Sequence, residues 1–289
     1  MLGNVSAGAM GGEGRWVTQT GSVWPCGWVW NAGLAGYQCT ARDWAFYPCT
    51  PPEIPPSEWI GALHERGIRE ISIVGDSHQR FLAAHLAFLL TAQADGKVIH
   101  WQDDLVLYAR DDSSNRTLRI NFYWIDGIYK NGEFGCTHRG QTTNRSEAFP
   151  EISPTADVTL FEGGYWAASF CRQPLKALRV HLEEFARWAL AAAPAKCRVI
   201  FRTIPSFPVA GDRSESPELA VLPAGAATVL DTWQVDGPRY ADTAVPHDHH
   251  YSVVKLTDQG AVVTGDVGEA QVRAFIHYLL HVLPPPTPR

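Results

Sequence analysis

Residues 70–90, Glu70-Ile-Ser-Ile-Val-Gly-Asp-Ser-His-Gln-Arg-Phe-Leu-Ala-Ala-His-Leu-Ala-Phe-Leu-Leu90, decide the fold class of this chain. The run Glu70–Val74 is short and rich in β-branched residues, which indicates a buried strand. Gly75-Asp-Ser77 then predicts a tight turn, and the apolar run that follows predicts a helix over Arg80–Leu90. A buried strand that leads directly into a helix is typical of an α/β protein.

Strands and helices alternate along the rest of the chain. Further strands are predicted at Val98–Trp101, Leu105–Ala109, Leu118–Trp124, Val158–Phe161, Arg198–Phe201 and Ala227–Leu230. Further helices are predicted from an N-cap at Ser57 to Gly67, from Pro174 to about Ala192, and from Val267 to Leu283. This alternation predicts a parallel sheet with helices on both faces. Such sheets place their functional sites at the carboxyl ends of the strands.

Composition narrows the class of protein. The chain has 289 residues, 45% hydrophobic and 19% charged, which is typical of a globular protein with a sizeable core. The net charge is −6 and no basic tract occurs, so we expect no nucleic-acid partner. The longest apolar stretch, Phe81–Ala92, is too short to span a bilayer, so we expect no membrane span. We also expect the chain to be a monomer.

Three regions are expected along the chain. Residues 1–14 are rich in glycine and predict a disordered N-terminus. Residues 15–58 hold three cysteines and five tryptophans and show no clear period, which predicts irregular chain. Together with the helix that follows, residues 15–66 are expected to form a Cys/Trp-rich lobe packed on the core. Residues 67–284 form the α/β domain.

Cysteines and glycosylation sequons favour an oxidising compartment. There are six cysteines and no C-x-x-C pair, which fits disulfides or buried thiols. We expect at least one bridge within Cys26, Cys39 and Cys49, and a bridge between Cys136 and Cys171. Sequons begin at Asn4, Asn115 and Asn144. The start lacks the pattern of a signal peptide, so we expect a secreted or Golgi-lumen chain that has lost an anchor or leader.

Ser77 is the first candidate for chemistry, because it follows a buried strand and precedes a helix. Backbone N–H groups and the dipole at a helix N-terminus favour an oxyanion, so a serine here can attack an acyl group. The alternative is a plain helix cap, in which Asp76 or Ser77 binds the first free N–H groups. The triplet Gly75-Asp-Ser77 alone is compatible with either a nucleophile or a cap. Arg80, three residues later, favours the nucleophile.

A serine nucleophile needs a base within hydrogen-bond reach. Candidate bases lie in Pro246-His-Asp-His-His-Tyr-Ser252, predicted to be a loop between the last strand and the closing helix. A neighbouring carboxylate would fix the imidazole tautomer and stabilise its charged form. Two other interpretations stay open. This cluster can bind a metal ion, although neighbouring side chains of an extended chain point apart, or it can be a solvated polar loop.

An oxyanion hole needs a second donor besides the nucleophile's own N–H. Gly163-Gly164 follows a predicted strand, and its backbone can approach a ligand closely, although a simple turn is the alternative. Asn121 and Gly127 are weaker candidates. Arg80 and Arg202 can steer a carbonyl or anionic group, or form surface ion pairs.

Three blocks in this order carry a family resemblance: Gly75-Asp-Ser-His-Gln-Arg80, Phe161-Glu-Gly-Gly-Tyr-Trp166 and Asp248-His-His-Tyr251. The chain resembles the PC-esterase branch of the SGNH (GDSL-type) hydrolases. That branch includes trichome-birefringence-like polysaccharide O-acetyltransferases, sialic-acid O-acetyltransferase domains and neurexophilin-linked esterase domains. Gly14–Val17, Asp43-Trp44 and Cys49-Thr-Pro51 resemble the plant members, and Arg202-Thr-Ile-Pro205 resembles a later family motif with its proline one residue early.

The resemblance implies a three-layer α/β/α SGNH-hydrolase fold with a flavodoxin-like parallel sheet. It implies Ser77 as the nucleophile, His250 as the general base and Asp248 as the partner of that base. Gly163 and Gly164 are the expected oxyanion donors.

Other residues of the three blocks are expected to contact the substrate or to support those that do: Asp76, Arg80, Glu162 and His249. The family often carries Asn where Glu162 lies, and an ionised Glu cannot donate the hydrogen bond that Asn donates. The family spaces its acid and base as Asp-x-x-His, but His247 lies three residues before the base, so Asp242 is the alternative acid.

These observations predict a serine-dependent O-acyl (acetyl) transferase or esterase that acts on a carbohydrate through an acyl-serine intermediate. Neither a cofactor nor a metal is required, and an acetyl donor such as acetyl-CoA is a possible substrate. The alternative is a catalytically inactive glycan-binding or interaction domain on the same fold. A lipase-like hydrolase is a third, weaker hypothesis, because no long amphipathic lid is visible.

Overall fold

The structure is a computed structural model of the whole chain. It describes residues 54–94, 104–125, 151–163, 175–203, 228–230, 232, 235, 252–257 and 260–283, together with six short strands at 14–17, 27–31, 34–38, 43–46, 137–138 and 141–142. For those six strands, and for parts of the other elements, only the backbone is described. The predicted strand Val98–Trp101 and the predicted disordered residues 1–13 lie outside this part of the chain.

The helices are α1 (Pro56–Glu65), α2 (Ser77–Leu89), α3 (Leu175–Ala192) and α4 (Asp266–His277), and α4 continues as a π-helical turn over Tyr278–Val282. The first ten strands are β1 (Gly14–Val17), β2 (Gly27–Asn31), β3 (Leu34–Gln38), β4 (Asp43–Phe46), β5 (Glu70–Gly75), β6 (Gln93–Ala94), β7 (Leu105–Asp111), β8 (Arg116–Trp124), β9 (Thr137–His138) and β10 (Gln141–Thr142). The last five are β11 (Val158–Phe161), β12 (Arg198–Arg202), β13 (Val229–Leu230), β14 (Val253–Thr257) and β15 (Gly260–Thr264).

A seven-stranded, mostly parallel sheet organises the chain, in the order β13-β12-β11-β5-β8-β7-β6. The strands from β13 to β8 are parallel to their neighbours, whereas β7 and β6 are antiparallel at one edge. Numbered along the chain, the five parallel strands have the spatial order 2-1-3-4-5. This order reverses between β5 and β11, and a ligand site is expected at such a reversal, beyond the carboxyl ends of the strands. The predicted mixed α/β class with a mainly parallel sheet is confirmed.

Alternate residues of the sheet enter two separate hydrophobic clusters. Ile71 and Ile73 of β5 pack in one cluster with buried residues of α1, α2 and α4. Val74 packs in the other, with Phe185 and other buried residues of α3. Side chains alternate between the two faces of a strand, so the two clusters lie on opposite faces of the sheet. All six residues of the short strand β5 are buried, and the strand is covered on both sides, as the sequence predicted.

Two helix starts differ from the sequence predictions. α1 begins at Pro56, with Pro55 rather than Ser57 at the N-cap, and the cap makes no side-chain hydrogen bond. A proline at the first helical position loses no hydrogen bond, and its fixed φ suits a helix, which explains the earlier start. α2 begins at Ser77 instead of Arg80, because Asp76 caps it directly after the strand.

Paired strands occur where the sequence predicted irregular chain. The backbone of β1 pairs with β4 and that of β2 pairs with β3, so the expectation that residues 15–58 lack regular structure is wrong for these segments. An antiparallel hairpin, β14–β15, also precedes α4 and was not predicted. The strand predicted at Ala227–Leu230 is reduced to Val229–Leu230, and Val158–Phe161 is confirmed.

The junction between α2, α4 and the start of β14 is closely packed. A Cβ atom at Gly268 of α4 would lie 1.8 Å from Ser252 Oγ and 2.9 Å from His85 Nδ1. Both distances are far below van der Waals contact, so only glycine fits at this position without a shift of its neighbours. In α1, by contrast, a Cβ at Gly61 would meet only the Arg116 Nη1 atom at 3.5 Å, an ordinary contact.

These two glycines give a matched pair of stability predictions. Gly61→Ala should stabilise the fold by up to about 1 kcal/mol, since alanine loses less backbone entropy in a helix. Gly268→Ala should destabilise it by about 1–3 kcal/mol, because the added methyl group overpacks the junction. Urea unfolding at neutral pH measures both, and stabilisation by Gly268→Ala would contradict the described packing.

Candidate functional site

Ser77 is the first residue of α2 and follows the central strand by one residue. Asp76 has extended backbone angles, and its Oδ1 accepts a hydrogen bond of 2.9 Å from the His78 N–H. The Asp76 carbonyl accepts the Arg80 N–H at 3.1 Å, which closes the first turn. The cap interpretation therefore holds for Asp76, and Ser77 is the first residue of the helix that Asp76 caps. Ser77 itself is buried, with 4% of its surface exposed.

The strand end before Ser77 is held on both sides. The Gly75 carbonyl accepts the Ile125 N–H at 2.9 Å, and the Val74 carbonyl accepts the Glu162 N–H at 3.1 Å. A Cβ atom at Gly75 would lie 2.8 Å from the Glu162 carbonyl oxygen and 2.5 Å from Gln79 Cγ. Glycine is therefore required here because another strand's backbone and the first turn of α2 both approach it.

Polar side chains gather at the carboxyl ends of the neighbouring strands. Glu162, directly after β11, is 1% exposed, and Gly163 beside it is also buried. Arg202, the last residue of β12, is 4% exposed. Its Nη1 donates to Gln79 Oε1 at 3.3 Å and its Nε donates to Thr232 Oγ1 at 3.4 Å. The alternative that Arg202 forms a surface ion pair is therefore wrong, whereas Arg80 is half-buried.

Gln79 belongs to this group, and sequence reasoning missed it. It lies between Ser77 and Arg80 in the first turn of α2, and no pattern in the sequence distinguishes it from an ordinary helix residue. Its side chain has 0% exposure and packs against Gly75, and its amide oxygen accepts a hydrogen bond from Arg202. The structure thus brings Ser77, Gln79, Glu162 and Arg202 to the same edge of the sheet.

Asn121 does not belong to the site. Its Nδ2 donates to Glu70 Oε1 at 2.7 Å and to Ser72 Oγ at 3.3 Å, near the amino end of β5. Burial raises the pKa of Glu70, but hydrogen bonds from Ser153, Thr155 and Asn121 outweigh it and hold that pKa below its usual value. The suggestion of Asn121 as an oxyanion donor is therefore wrong, because it lies toward the opposite end of the strands from Ser77.

The other predicted site residues lie outside the described part of the chain. These are Gly164, Asp242, His247, Asp248, His249 and His250, together with Gly127 and the cysteines expected to form bridges. Cys197 is described, forms no disulfide, and donates to or accepts from Thr159 Oγ1 at 3.0 Å. Burial raises the pKa of its thiol to about 11, so it is a poor nucleophile.

A buried hydrogen bond ties the segment after His250 to α2. Ser252 Oγ lies 3.2 Å from His85 Nδ1, and both residues are buried. Ser252 is two residues beyond the candidate base, and His85 is two helical turns beyond Ser77. Loss of hydration in this position lowers the pKa of His85 from 6.5 to about 4, so its imidazole is neutral at physiological pH.

Comparison with known proteins adds no relative. No protein-family model matches the chain, and no curated protein matches it. Among the described residues there is no group of three or more His, Cys, Asp or Glu side chains arranged to hold a metal ion. Within the same residues, no helix combines the length and apolar character that a membrane span requires.

The buried His85 predicts acid sensitivity of the fold. The unfolded chain binds a proton at His85 as the pH falls through 6.5, whereas the folded protein resists until about pH 4. The free energy of unfolding therefore falls between pH 6.5 and pH 4, by about 3 kcal/mol at 1.36 kcal/mol per pKa unit. Urea unfolding at pH 7 and pH 4.5 should show most of this loss.

The variant His85→Gln should remove that part of the pH dependence, since glutamine has no proton to gain. His64→Gln is the matched control, because His64 lies at the surface of α1 and bonds the Thr117 carbonyl. It should leave the acid sensitivity of the wild type in place. Equal pH dependence of wild type and His85→Gln would contradict a neutral, buried His85.

Proposed function

We propose that this chain is a serine-dependent O-acyl (acetyl) transferase or esterase that acts on a carbohydrate, with a three-layer SGNH-type fold. The observation that carries the proposal is the position of Ser77. It is the first residue of a helix that follows the central strand, next to the reversal of strand order between β5 and β11. Sites in parallel α/β sheets form at this place.

The fold supports the proposal in two ways. The order 2-1-3-4-5 of the parallel strands is the flavodoxin-like order that the family resemblance implies. Buried helix residues also pack on both faces of the sheet, as three layers require. The Cys/Trp-rich N-terminal stretch is proposed as a lobe of the same domain, with aromatic residues available to stack on sugar rings.

The proposed reaction has two steps. Ser77 Oγ attacks the acyl carbon of an ester or thioester, a donor such as acetyl-CoA among them, while His250 takes the hydroxyl proton and Asp248 orients the imidazole. The leaving group departs with a proton from the imidazolium, which leaves an acyl-serine. A sugar hydroxyl or water then attacks the acyl-serine while His250 takes its proton. The bond from the acyl carbon to Ser77 Oγ breaks, His250 returns the proton to the serine oxygen, and the acylated sugar or the free acid departs. The Ser77 N–H and the backbone after β11 stabilise the oxyanion.

A second candidate is a glycan-binding or interaction domain without catalysis. One observation favours it. Glu162 occupies the position where the resembled family often carries a donor Asn, and its side chain is almost fully buried. An ionised carboxylate there opposes an oxyanion instead of stabilising it. The two candidates differ in whether Ser77 becomes acylated.

Ser77→Ala tests the nucleophile directly. With p-nitrophenyl acetate, the variant should lose at least about 1,000-fold in kcat/KM, because removal of a nucleophile leaves only binding and oxyanion contributions. Mass spectrometry of the wild type after an acid quench should find an acetyl group on the peptide that carries Ser77. The matched control is Ser113→Ala, since Ser113 is exposed in the turn between β7 and β8. Equal rates for Ser77→Ala and wild type, with no acyl-serine, would favour the binding domain.

Passage through the secretory pathway is part of the proposal, and Asn115 gives a test of it. Asn115 is exposed in the turn between β7 and β8 with φ 54°, a conformation that asparagine tolerates. Because Asn115 is exposed and Asn115-Arg-Thr117 is a sequon, its side chain can accept an N-linked glycan. Protein isolated from its native source should carry an N-linked glycan on the peptide that contains Asn115, detected by a mass change after enzymatic deglycosylation.

A matched pair of substitutions checks that the site is competent. Expressed through a secretory host, Thr117→Ser should keep the glycan and Thr117→Ala should lose it, since only hydroxyl residues complete the sequon. Thr117 is exposed at the start of β8, so neither change should disturb the core. An unmodified Asn115 in the native protein, with a modified one in the secretory host, would argue against the proposed compartment.

A further inference from the structure

The side-chain amide of Gln79 is unusual among the buried polar groups. Gln79 has 0% exposure, and its Nε2 has no hydrogen-bond partner among the residues that the structure describes. An unsatisfied buried N–H costs about 1–3 kcal/mol, and native proteins satisfy nearly all such groups. The Oδ1 atom of buried Asn121 also has no partner, but it is an acceptor, and Arg66, Arg119 and Arg198, which carry unpartnered nitrogens, are partly exposed. The unsatisfied N–H groups of Gln79 are therefore unfavourable in the free protein, which indicates a functional role for them.

Chemistry fixes which way the amide points. Arg202 Nη1 lies 3.3 Å from Gln79 Oε1, and a guanidinium carries only donors. The amide oxygen must therefore face Arg202, because a flipped amide would set two donors against each other. The NH2 group is consequently turned away from β12 and keeps its hydrogens for another acceptor.

Backbone contacts fix where the side chain lies. A Cβ atom added at Gly75 would lie 2.5 Å from Gln79 Cγ and 2.8 Å from the Glu162 carbonyl oxygen, so both groups crowd this glycine. The side chain of Gln79 thus lies over the carboxyl end of β5, beside the end of β11. This is the point where the strand order reverses, and Ser77 lies two residues earlier in the same helical turn.

We infer that the Gln79 NH2 group donates a hydrogen bond to the acyl carbonyl oxygen of the substrate as Ser77 attacks it. This inference rests on the proposed function and names the side-chain donor of its oxyanion site. As the Ser77 Oγ–carbon bond forms, the carbonyl π pair moves to oxygen, and the serine proton goes to His250. Gln79 transfers no proton. It stabilises the developing negative charge that the Ser77 N–H also faces, and Arg202 is its positioning residue.

The inference accounts for Glu162. An ionised carboxylate at Glu162 supplies no donor to an oxyanion, whereas the neutral amide of Gln79 does. The side chain of Gln79 lies against Gly75, and the Glu162 carbonyl approaches the same glycine. The donor is therefore carried by α2 instead of by the segment after β11.

Gln79→Glu tests the donor with little change of shape. Glutamate keeps an oxygen for Arg202 but places a second acceptor where the NH2 group was. With p-nitrophenyl acetate we expect kcat to fall about 100- to 1,000-fold with KM changed less than about threefold, the usual effect of losing one oxyanion donor. The melting temperature should change little, because the ion pair with Arg202 offsets much of the cost of burying the new carboxylate. A purely structural role predicts the reverse, a lower melting temperature with unchanged kcat.

Gln79→Met and Gln271→Met provide the matched comparison. Gln79→Met removes the donor without adding a charge, so kcat should again fall about 100-fold or more. Gln271 is a buried glutamine of α4, a helix that contributes none of the four side chains gathered at the carboxyl edge of the sheet, and Gln271→Met should keep kcat in the folded fraction. Retention of kcat within about threefold in both Gln79 variants would overturn the inference.

A covalent phosphonate separates this inference from the proposed function. A fluorophosphonate that modifies Ser77 carries an oxygen in place of the oxyanion, and the Gln79 side-chain NH2 signals, assigned by their loss in Gln79→Glu, should then move downfield in nitrogen–proton spectra. Modification of Ser77 without that movement overturns the inference and leaves the nucleophile intact. If the wild type shows neither phosphonylation of Ser77 nor ester turnover, both the inference and the proposed function are overturned.

Discussion

The fixed end of β5 is the constraint on which the rest of the site depends. The last two residues of this strand give their carbonyl groups to both neighbours, β11 through the Glu162 N–H and the segment after β8 through the Ile125 N–H. Gly75 has no side chain, so the Glu162 carbonyl and the first turn of α2 come close to it. One residue later, Asp76 caps the helix. The Ser77 backbone therefore has little freedom, because the sheet and the cap together set its position.

Burial sets the energetics of the same region. Glu162 and Arg202 end adjacent strands and are both almost completely removed from water, where polar groups cost free energy unless hydrogen bonds compensate. The same low dielectric strengthens every remaining electrostatic interaction, so a donor left for a ligand has more effect there than at the surface. An arrangement that costs stability in the free protein is typical of sites that are prepared for charge in a transition state.

The sequence predicted those parts of the fold that local pattern controls. Val158–Phe161 was predicted with its observed bounds because four consecutive apolar or β-branched residues between polar ones leave little choice. The start of α2 was placed three residues late, since the capping of His78 N–H by Asp76 depends on how the strand delivers the chain. The β14–β15 hairpin has a signal in the sequence, since two runs rich in β-branched residues lie on either side of Asp258-Gln259. No local pattern indicates Gln79, because its role depends on Arg202, which is 123 residues away.

Polar groups lie at both ends of the central strands, and they differ in what they leave available. At the amino end, Asp157 Oδ2 accepts the backbone N–H groups of Arg69 and Glu70, and Glu70 accepts from Asn121 and Thr155. These bonds hold the loop before β11 to the start of β5, so they act within the protein and direct no donor toward a ligand. At the carboxyl end, the bond to Arg202 uses the oxygen of Gln79 and leaves its N–H groups. The sheet is thus anchored at one end and carries a spare donor at the other. In the proposed reaction, rigid anchoring makes that donor effective, since a preorganised hydrogen bond costs no reorganisation when charge develops.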